Sequence, residues 1–260
     1  MQDVLTANTI PATLPGIRRI GTADLREALR RGLADFEAIP TQLVFLCLLY
    51  PIIGLVAART ATGDLLPLLF PLVTGLSLMG PVLAIGLYEI SRRREAGQPA
   101  SWLNAFDILR SPALPGIIAI GALLLVAFTL WVVAARMIYI AAIGPEAPTG
   151  ILAFIDVILH TTGGMKLILW GNIAGFAFAL FVLTISVVSI PMLLDRNCTP
   201  QLAIQTSVRV VMHNPGPMAL WGLTVATLLV LGSLPLFVGL AVVMPILGHA
   251  TWHLYRRVVV

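Results

Sequence analysis

Six apolar runs divide the sequence, each about as long as a helix needs to cross a bilayer. A helix rises about 1.5 Å per residue, so a hydrocarbon core about 30 Å thick requires about 20 apolar residues. The runs cover residues 41–59, 65–90, 114–136, 167–193, 217–233 and 235–254. Only LGSLP separates the last two, so a tight turn is expected near Gly232–Pro235. The pattern predicts an all-α, polytopic membrane protein with six transmembrane helices arranged as three hairpins.

Short amphipathic segments precede the first, third and fifth runs. In the first segment Leu25, Leu29 and Leu33 recur at helical spacing, with arginines and acids on the opposite face. Each segment is too short or too charged to span, so it is predicted to lie in the interface with its apolar face in the acyl region. These interfacial helices cover about residues 22–39, 100–110 and 200–213. We expect residues 1–21 to form a cytoplasmic tail and residues 22–260 a single transmembrane domain.

Two helix ends share a sequence pattern. PVLAIGLYEISRR, residues 81–93, aligns without a gap with PILGHATWHLYRR, residues 245–257. Both begin with proline, which kinks a helix, and both end in an arginine pair. They close the first and third hairpins, whereas the second closes with the looser stretch IPMLLDRN. We interpret the chain as an internal repeat of three units, each an interfacial helix followed by a hairpin.

Composition supports a membrane location, and the arginines give an orientation. Hydrophobic residues make up 58% of the 260 and charged residues 11%, whereas about a quarter of a soluble domain is charged. With a cytoplasmic N-terminus, thirteen arginines lie on the cytoplasmic side, and the outer side keeps Arg59, Arg136 and Lys166. This bias predicts a multi-pass protein of the bacterial inner membrane with both termini in the cytoplasm. Membrane lipids are the expected partner rather than nucleic acid, because the arginines cluster at the ends of apolar runs.

The cytoplasmic ends of the second and sixth runs carry residues suited to the headgroup level. Long arginine stems and amphipathic aromatic rings both favour that level of a bilayer. The predicted membrane-anchoring residues are Arg92, Arg93, Trp252, Arg256 and Arg257.

Two histidines one helical turn apart, His249 and His253, are candidates for metal or haem ligands. His213 is expected on the same side of the membrane and is the candidate third ligand. In the aligned stretch Ile85 and Glu89 take the places of the histidine pair, so the repeated pattern does not need histidine. Interfacial hydrogen bonding is favoured over a ligand role, and no metal or other cofactor is predicted.

An acid and a histidine lie one turn apart in the outer segment, residues 146–165, which is either interfacial or re-entrant. They are Asp156 and His160. A catalytic acid–base pair would need a third group and a pocket. We predict instead a structural ion pair between Asp156 and Arg136, with Lys166 as the alternative cation.

The fourth run contains a small-residue pattern beside an amide. Gly171 and Gly175 in WGNIAGFAF are typical of a helix-packing seam. Asn172 is placed to hydrogen-bond a neighbouring helix, a ligand or a partner subunit. Helix packing is the favoured interpretation of all three residues.

Motifs of catalytic chemistry are not found in the sequence. It contains no Walker A loop, no GxGxxG after a strand, no HExxH and no GxSxG. Ionisable residues are nearly absent from the middle of the predicted spans, which disfavours ion-coupled transport and proton pumping. The protein is therefore predicted not to be an enzyme, and no catalytic residue is assigned.

Three stretches together resemble a known family. DLREALRRGLADF, GPVLAIGLYEISRRREAG and WLNAF, in the six-span layout, are similar to bacterial integral membrane proteins of unknown function, some of which are labelled cytochrome c oxidase subunits. The similarity covers most of the chain, from about Arg18 to Arg257. The four histidines of this chain do not provide the haem and copper ligands that a catalytic oxidase subunit needs. The resemblance therefore implies an accessory or assembly-related subunit, with no catalytic residue carried over.

The expected function is that of a non-catalytic accessory or assembly-type membrane protein associated with a respiratory, cytochrome c oxidase-type complex. Subunits of that complex are the expected protein partners. A small-molecule or lipid transporter or channel is the alternative, because prolines within the spans supply hinges. A polar cavity containing Asn172 would favour that alternative, and a filled apolar interior would favour the accessory role. A haem-binding membrane protein acting through His249 is a third, minor alternative.

Overall fold

Helices form nearly all the regular structure in the described part of the computed structural model. The structure describes residues 14–41, 44–47, 50, 52, 68, 71–72, 75, 79–146, 150–235 and 237–260. Its elements are α1 (Thr22–Ala38), α2 (Gly80–Leu83), α3 (Ile85–Glu95), a 3₁₀ helix (Trp102–Arg110), α4 (Leu114–Ala142), α5 (Ile151–His160), α6 (Thr162–Ser186), α7 (Ser189–Arg196), α8 (Pro200–His213), α9 (Pro215–Ser233) and α10 (Leu240–Val258). The predicted all-α class is confirmed for these residues.

Local sequence signals set several helix ends. The Thr199 hydroxyl accepts a hydrogen bond from the Leu202 amide at 3.3 Å, and Pro200 occupies the first position of α8. Asn197 caps the C-terminal end of α7, the helix before α8, in the left-handed conformation with φ of 44°. These caps stop α7 and start α8 within four residues, which makes a sharp corner between them.

Three helices in the described ranges are long and apolar enough to cross a membrane. They are Leu114–Ala142 with 29 residues, Thr162–Arg196 with 35 residues, which runs through α6 and α7, and Pro215–Ser233 with 19 residues. Their surfaces carry exposed apolar side chains such as Phe176, which is 70% exposed, and Leu223, which is 64% exposed. Such faces are stable against lipid rather than water. These helices coincide with the third, fourth and fifth predicted runs.

The other predicted runs have different outcomes. Most of 41–59 and much of 65–90 fall outside the described residues, and α2 with α3 covers the end of the second run. The sixth run, 235–254, overlaps α10, which carries Pro245 and a basic last turn and is not one of the three membrane-length helices.

The first of two compact units comprises Met1–Gln42, Pro81–Gly121 and Thr184–Val260. In it α1 packs along α10, α3 against the 3₁₀ helix, and α7 against α8, while α3, α7 and α10 also contact one another. Two of these contacts are very close. A Cβ added to Gly32 would lie 2.6 Å from the backbone nitrogen of Ala250, and one added to Gly86 would lie 2.6 Å from the Cβ of Ala105. Glycine is therefore needed at both helix contacts.

The two ends of the first unit meet in a short antiparallel bridge. The Arg18 amide donates to the Val258 carbonyl at 2.9 Å, and the Val260 amide donates to the Gly16 carbonyl at 3.0 Å. Asn214, directly before α9, donates from Nδ2 to the Arg18 carbonyl at 3.2 Å. The segment that leads into α1 is thereby tied to both the start of α9 and the end of α10.

The second unit, Leu43–Gly80 and Ala122–Leu183, is centred in its described part on a tryptophan of α4. The Trp131 indole N–H donates to the Pro71 carbonyl at 2.9 Å. Its ring lies 5.8 Å from that of Phe178 on α6. The ring contact joins α4 to α6 within this unit, and the hydrogen bond joins α4 to Pro71.

The three amphipathic segments are helical, at bounds close to the predicted ones. They are α1, the 3₁₀ helix and α8. The face of α1 that is buried in the protein consists of Leu25, Ala28, Gly32 and Asp35, while Leu33 of the predicted lipid-facing stripe is 42% exposed. The close approach of Ala250 on α10 leaves no room for a side chain at Gly32.

Candidate functional site

A buried polar cluster joins three helices of the first unit. Asp35 belongs to α1, Ser91 to α3, and His249 and His253 to α10. The Asp35 Oδ2 atom accepts hydrogen bonds from Ser91 Oγ at 2.6 Å and from His253 Nε2 at 2.9 Å. Ser91 Oγ also lies 2.8 Å from Nδ1 of His249. We call these four residues the Asp35 cluster.

The second oxygen of Asp35 is held by an arginine of α3. Arg94 Nε donates to Oδ1 at 2.8 Å. Burial raises the pKa of Asp35, but the hydrogen bonds from His253, Ser91 and Arg94 outweigh it and bring this pKa down to about 2. Asp35 is therefore a carboxylate at neutral pH, although only 6% of the residue is exposed.

The hydrogen-bond directions assign the tautomer of His249. The Ser91 hydroxyl proton points to Asp35, so Ser91 Oγ accepts from the Nδ1–H of His249. Nε2 of His249 is then the unprotonated nitrogen of a neutral ring, and this buried atom has no hydrogen-bond partner among the described residues. The Nε2 atom of His253 must carry a proton, because it donates to Asp35.

Serine, histidine and aspartate are the groups of nucleophilic hydrolases, yet their arrangement differs here. In such enzymes the histidine takes the proton of the serine hydroxyl, whereas the Ser91 hydroxyl donates to Asp35. Ser91 and His249 are both 0% exposed, and His253 is 6% exposed. The geometry of the Asp35 cluster therefore favours a structural contact between helices over attack on a substrate.

The candidate metal set of three histidines does not form. His213 is exposed on α8, and its Nδ1 lies 2.9 Å from the carbonyl of Arg209 on the same helix. His249 and His253 face Ser91 and Asp35 instead. Throughout the described part of the chain, no group of three or more histidine, cysteine or acidic side chains is placed to hold a metal ion.

Residues predicted to anchor helix ends at the headgroups make contacts inside the protein. Arg92 and Arg93 both pair with Glu89, at 2.8 and 2.9 Å, and Glu89 is 3% exposed. Trp252 is 1% exposed, and its indole N–H donates to Glu95 at 2.9 Å. The prediction of Trp252 at the lipid headgroups is wrong, because the ring is enclosed by protein.

The arginine pair at the end of α10 has carboxylate partners. Arg256 contacts both Glu95 and Asp195 at 3.1 Å, and thereby joins the ends of α3 and α7. Arg257 contacts Asp24 of α1 at 2.8 Å. These two arginines therefore connect the helices of the first unit to one another.

The predicted ion pair between Arg136 and Asp156 is wrong. Asp156 pairs with His160, one turn later on α5, at 2.9 Å. Arg136 donates to the Pro145 carbonyl at 3.4 Å, and its guanidinium lies 5.6 Å from the ring centre of Tyr139. Each residue makes its contacts within its own helix or the turn that follows it, while Nη1 of Arg136 is buried without a hydrogen-bond partner among the described residues.

The small-residue seam of α6 is only partly in contact. A Cβ added to Gly175 would lie 3.3 Å from the Trp131 ring, whereas one added to Gly171 would have nothing within 4 Å among the described atoms. Asn172 is exposed, and its Nδ2 donates to the Ile168 carbonyl of its own helix at 2.7 Å. Gly175 is therefore a packing position, and Gly171 with Asn172 faces outward.

The central residues of the site, Asp35 and Ser91, are absent from the sequence-based candidates. The available signal is the spacing on α1, where Ala28, Gly32 and Asp35 follow Leu25 on one helical face. An acid on a face of small and apolar residues indicates a buried carboxylate that requires a partner. Nothing local identifies Ser91 as that partner.

Comparison with known proteins finds a family model that matches part of the chain. Residues 69–195, which are 127 of the 260 residues, match the family model described as "Predicted integral membrane protein (DUF2189)". Over that segment the chain is similar to the DUF2189 family. The DUF2189 segment contains Ser91 and Arg94, whereas Asp35 and the α10 histidines lie outside it. No curated protein and no solved structure matches the chain.

The match to DUF2189 agrees with the three membrane-length helices, two of which lie largely or wholly in the matched segment. The protein is an integral membrane protein, and the family that it matches is one of unknown function.

Proposed function

We propose that this protein is a non-catalytic accessory or assembly-type protein of the bacterial inner membrane. The proposal rests on the burial of the Asp35 cluster away from solvent. Its residues Ser91 and His249 are 0% exposed. Its polar atoms serve to hold α1, α3 and α10 together. In this proposal the charged first unit is a rigid platform, and the membrane helices provide the surface for a partner.

The proposal includes six spans as three hairpins, with both termini in the cytoplasm. The bounds of the spans are those of the six apolar runs. Contacts at both ends of the α9–α10 pair support the last hairpin. At one end a Cβ added to Gly239 would lie 2.8 Å from the Gly232 carbonyl. At the other end Asn214 donates to the Arg18 carbonyl, and the Arg18 amide donates to Val258 at the end of α10. The distribution of arginines supports the orientation.

Helix contacts in the first unit support an internal repeat of three units. The helix that closes each hairpin packs against the amphipathic helix of the next unit: α3 on the 3₁₀ helix, α7 on α8, and α10 back on α1. Gly86 and Ala250, which align in the repeated stretch, occupy the close contacts with Ala105 and Gly32. We propose that the three units pack in this cyclic order.

The outward face of α6 is the proposed surface for a protein partner. Leu169, Asn172 and Phe176 line a shallow groove of about 400 Å³ along this single helix. An amide that faces hydrocarbon without full hydrogen bonding is costly, so a neighbouring helix that bonds to Asn172 would stabilise it. Subunits of a respiratory complex, which the family resemblance implies, are the proposed partners.

Transport is not supported by the polar residues of the membrane-length helices. Thr129, Asn172 and Thr224 each donate to the carbonyl four residues earlier in the same helix. Each of these side chains therefore bonds within its own helix, and none of these bonds indicates a polar route for a substrate. A haem role for His249 is equally unsupported, because Ser91 holds that ring in a closed interior.

Co-purification from native membranes tests the proposal. The chain is tagged at its own locus, extracted in mild detergent and analysed by quantitative mass spectrometry. We expect stoichiometric recovery of respiratory subunits with the wild type and with Thr224→Val, and reduced recovery with Asn172→Leu. Thr224→Val is the matched control, because it removes an exposed polar group from α9 instead of α6. Recovery of the protein with lipid alone would contradict the accessory role.

A further inference from the structure

An open cavity of about 320 Å³ lies in the first unit, beside the start of membrane helix α4. The end of α3, the end of the 3₁₀ helix and α7 form its wall, together with the link Ser111–Ala113 that leads into α4. The charged side chains that line it are Glu89, Arg92, Arg93, Asp107 and Arg110. This cavity does not include any residue of the Asp35 cluster and is independent of the accessory role proposed above.

The cavity has one more arginine than its carboxylates can neutralise. Glu89 binds Arg92 through two hydrogen bonds of 2.8 Å, and it binds Arg93 at 2.9 Å. Arg93 also reaches Asp107 at 2.9 Å. Arg110 has no carboxylate partner in the described ranges. With three arginines against two carboxylates, the cavity carries a net charge of +1.

The surroundings of the cavity place it at the headgroup level of a bilayer. Ser111, Pro112 and Ala113 line it directly before α4, whose first residue, Leu114, begins a membrane-length helix. The adjoining 3₁₀ helix exposes four large apolar side chains, Trp102, Leu103, Phe106 and Leu109, at 47, 57, 56 and 64%. An exposed apolar face next to arginines is typical of an element that inserts into the acyl boundary of a membrane.

We propose that this cavity binds the phosphate group of an anionic phospholipid, with Arg110 as the principal ligand and Arg92 beside it. A guanidinium binds phosphate oxygens through paired, charge-assisted hydrogen bonds, and an arginine without a carboxylate is free to do so. The net charge of +1 favours lipids that lack a compensating ammonium group. The exposed face of the 3₁₀ helix lies where the acyl chains of such a lipid would run. A soluble phosphate offers the same chemistry without acyl chains, so the test separates the two sources.

The experiment measures retained lipid on the full-length protein. Nanodiscs of phosphatidylcholine containing increasing phosphatidylglycerol are used, and bound lipid is counted by native mass spectrometry. We expect the wild type to retain phosphatidylglycerol selectively and Arg110→Gln to lose about tenfold in affinity, the effect of one charge-assisted hydrogen bond. Arg26→Gln on the exposed face of α1 makes the same charge change away from the cavity and is expected to leave retention unchanged.

A second variant is expected to change lipid retention in the opposite direction. Asp107→Asn removes one of the two carboxylates, raises the charge of the cavity to +2 and leaves Arg93 paired with Glu89 alone. We expect this variant to retain more phosphatidylglycerol than the wild type. Because Arg110 is exposed, Arg110→Gln is expected to keep the unfolding stability of the wild type, and a stability measurement on both variants separates loss of binding from loss of fold.

Competition with inorganic phosphate distinguishes a phospholipid ligand from a soluble phosphate ligand. If millimolar phosphate displaces phosphatidylglycerol from the wild type but not from Arg110→Gln, the phosphate site is supported for both ligands. If phosphate has no effect while phosphatidylglycerol is retained, the lipid is the ligand. Equal retention by Arg110→Gln and Arg26→Gln, or no gain in Asp107→Asn, would overturn the proposal.

Discussion

Asp35 of α1 and His253 of α10 lie 2.9 Å apart, from carboxylate Oδ2 to imidazole Nε2, although 218 residues separate them in the sequence. Ser91 of α3 donates to the same oxygen. One buried carboxylate thereby joins the amphipathic N-terminal helix, the end of the second apolar run and the C-terminal helix. The contact explains how an amphipathic helix with a strongly charged outer face is fixed to this unit.

Removing the charge of Asp35 is expected to destabilise the first unit strongly. Asp35→Asn keeps the shape but leaves Arg94 and His253 without a carboxylate, and breaking a buried pair in this way costs about 3–5 kcal/mol. Urea unfolding, followed through tryptophan fluorescence to which the buried Trp221 and Trp252 of the first unit contribute, measures the free energy of unfolding. Glu37→Gln, an exposed acid on the same helix, is the control, with an expected change within about 0.5 kcal/mol. Equal effects of the two substitutions would contradict the role of Asp35.

Acid is expected to weaken the same contact below about pH 4. Hydrogen bonds hold the folded pKa of Asp35 at about 2, below the ordinary value of 3.8, so the unfolded chain takes up this proton first. The stabilisation is fully present above the unfolded pKa and is lost as the pH falls towards 2, with a total of about 2 kcal/mol. Unfolding free energies of wild type and Asp35→Asn, measured between pH 5 and pH 2, should converge by about that amount.

A less buried acid provides the control for that pH dependence. The hydrogen bonds from Arg30 and Arg31 also lower the pKa of Glu27 to about 2, but its side chain is 25% exposed, against 8% for Asp35, and its contact with Arg257 of α10 is as long as 3.6 Å. Solvent and salt screen such a contact. Glu27→Gln should therefore retain most of the acid dependence of the wild type. A loss as large as that in Asp35→Asn would show that burial is not the deciding factor.

The contact between α1 and α10 is expected to be intolerant of one added methyl group. In Gly32→Ala the new Cβ would lie 2.6–2.8 Å from backbone and side-chain atoms of Ala250, which forces the helices apart. We expect a loss of about 1–3 kcal/mol in unfolding free energy, as for other overpacked sites. Gly216→Ala in the first turn of α9 is the matched control, because its Cβ would meet nothing within 4 Å of described structure. That substitution should be neutral or slightly stabilising, and an equal loss in both variants would refute the close-packing argument.

Cysteine labelling tests the proposed orientation. In a background without Cys47 and Cys198, Leu234→Cys places a thiol in the turn after α9, where the leucine is 72% exposed, and Gln98→Cys places one in the exposed loop after α3. A membrane-impermeant maleimide added to intact spheroplasts should label position 234 at once and position 98 only after permeabilisation. The reverse order would invert the topology, and immediate labelling of both would rule out a crossing between them.

Local patterns in the sequence predicted the elements well. The run 217–233 corresponds to Pro215–Ser233, and the segment 22–39 corresponds to Thr22–Ala38. Apolar run length and 3.6-residue periodicity are properties of neighbouring residues, so they can be evaluated without tertiary structure. The same patterns do not identify the face of α1 that packs on α10, because the close contact is made by Gly32, which carries no apolar side chain.

The site could not be predicted in the same way, because its partners are remote. Ser91 lies 56 residues from Asp35, and His253 lies 218 residues away. A lone acid on the face of α1 indicates that a partner exists, but its identity depends on which helices pack together. The two α10 histidines are candidates for ligands and, more strongly, for hydrogen bonding on the basis of local spacing, but their partners Asp35 and Ser91 are not local information.

Hydrogen–deuterium exchange on the nanodisc-embedded protein, comparing wild type with Asp35→Asn, tests the central claim that the Asp35 cluster is a structural contact. The account predicts that Asp35→Asn loses amide protection in α1 and in the last two turns of α10, while α4 and α6 exchange as in the wild type. Unchanged protection in α1 and α10 would contradict it, because the helices would then be held together without this carboxylate.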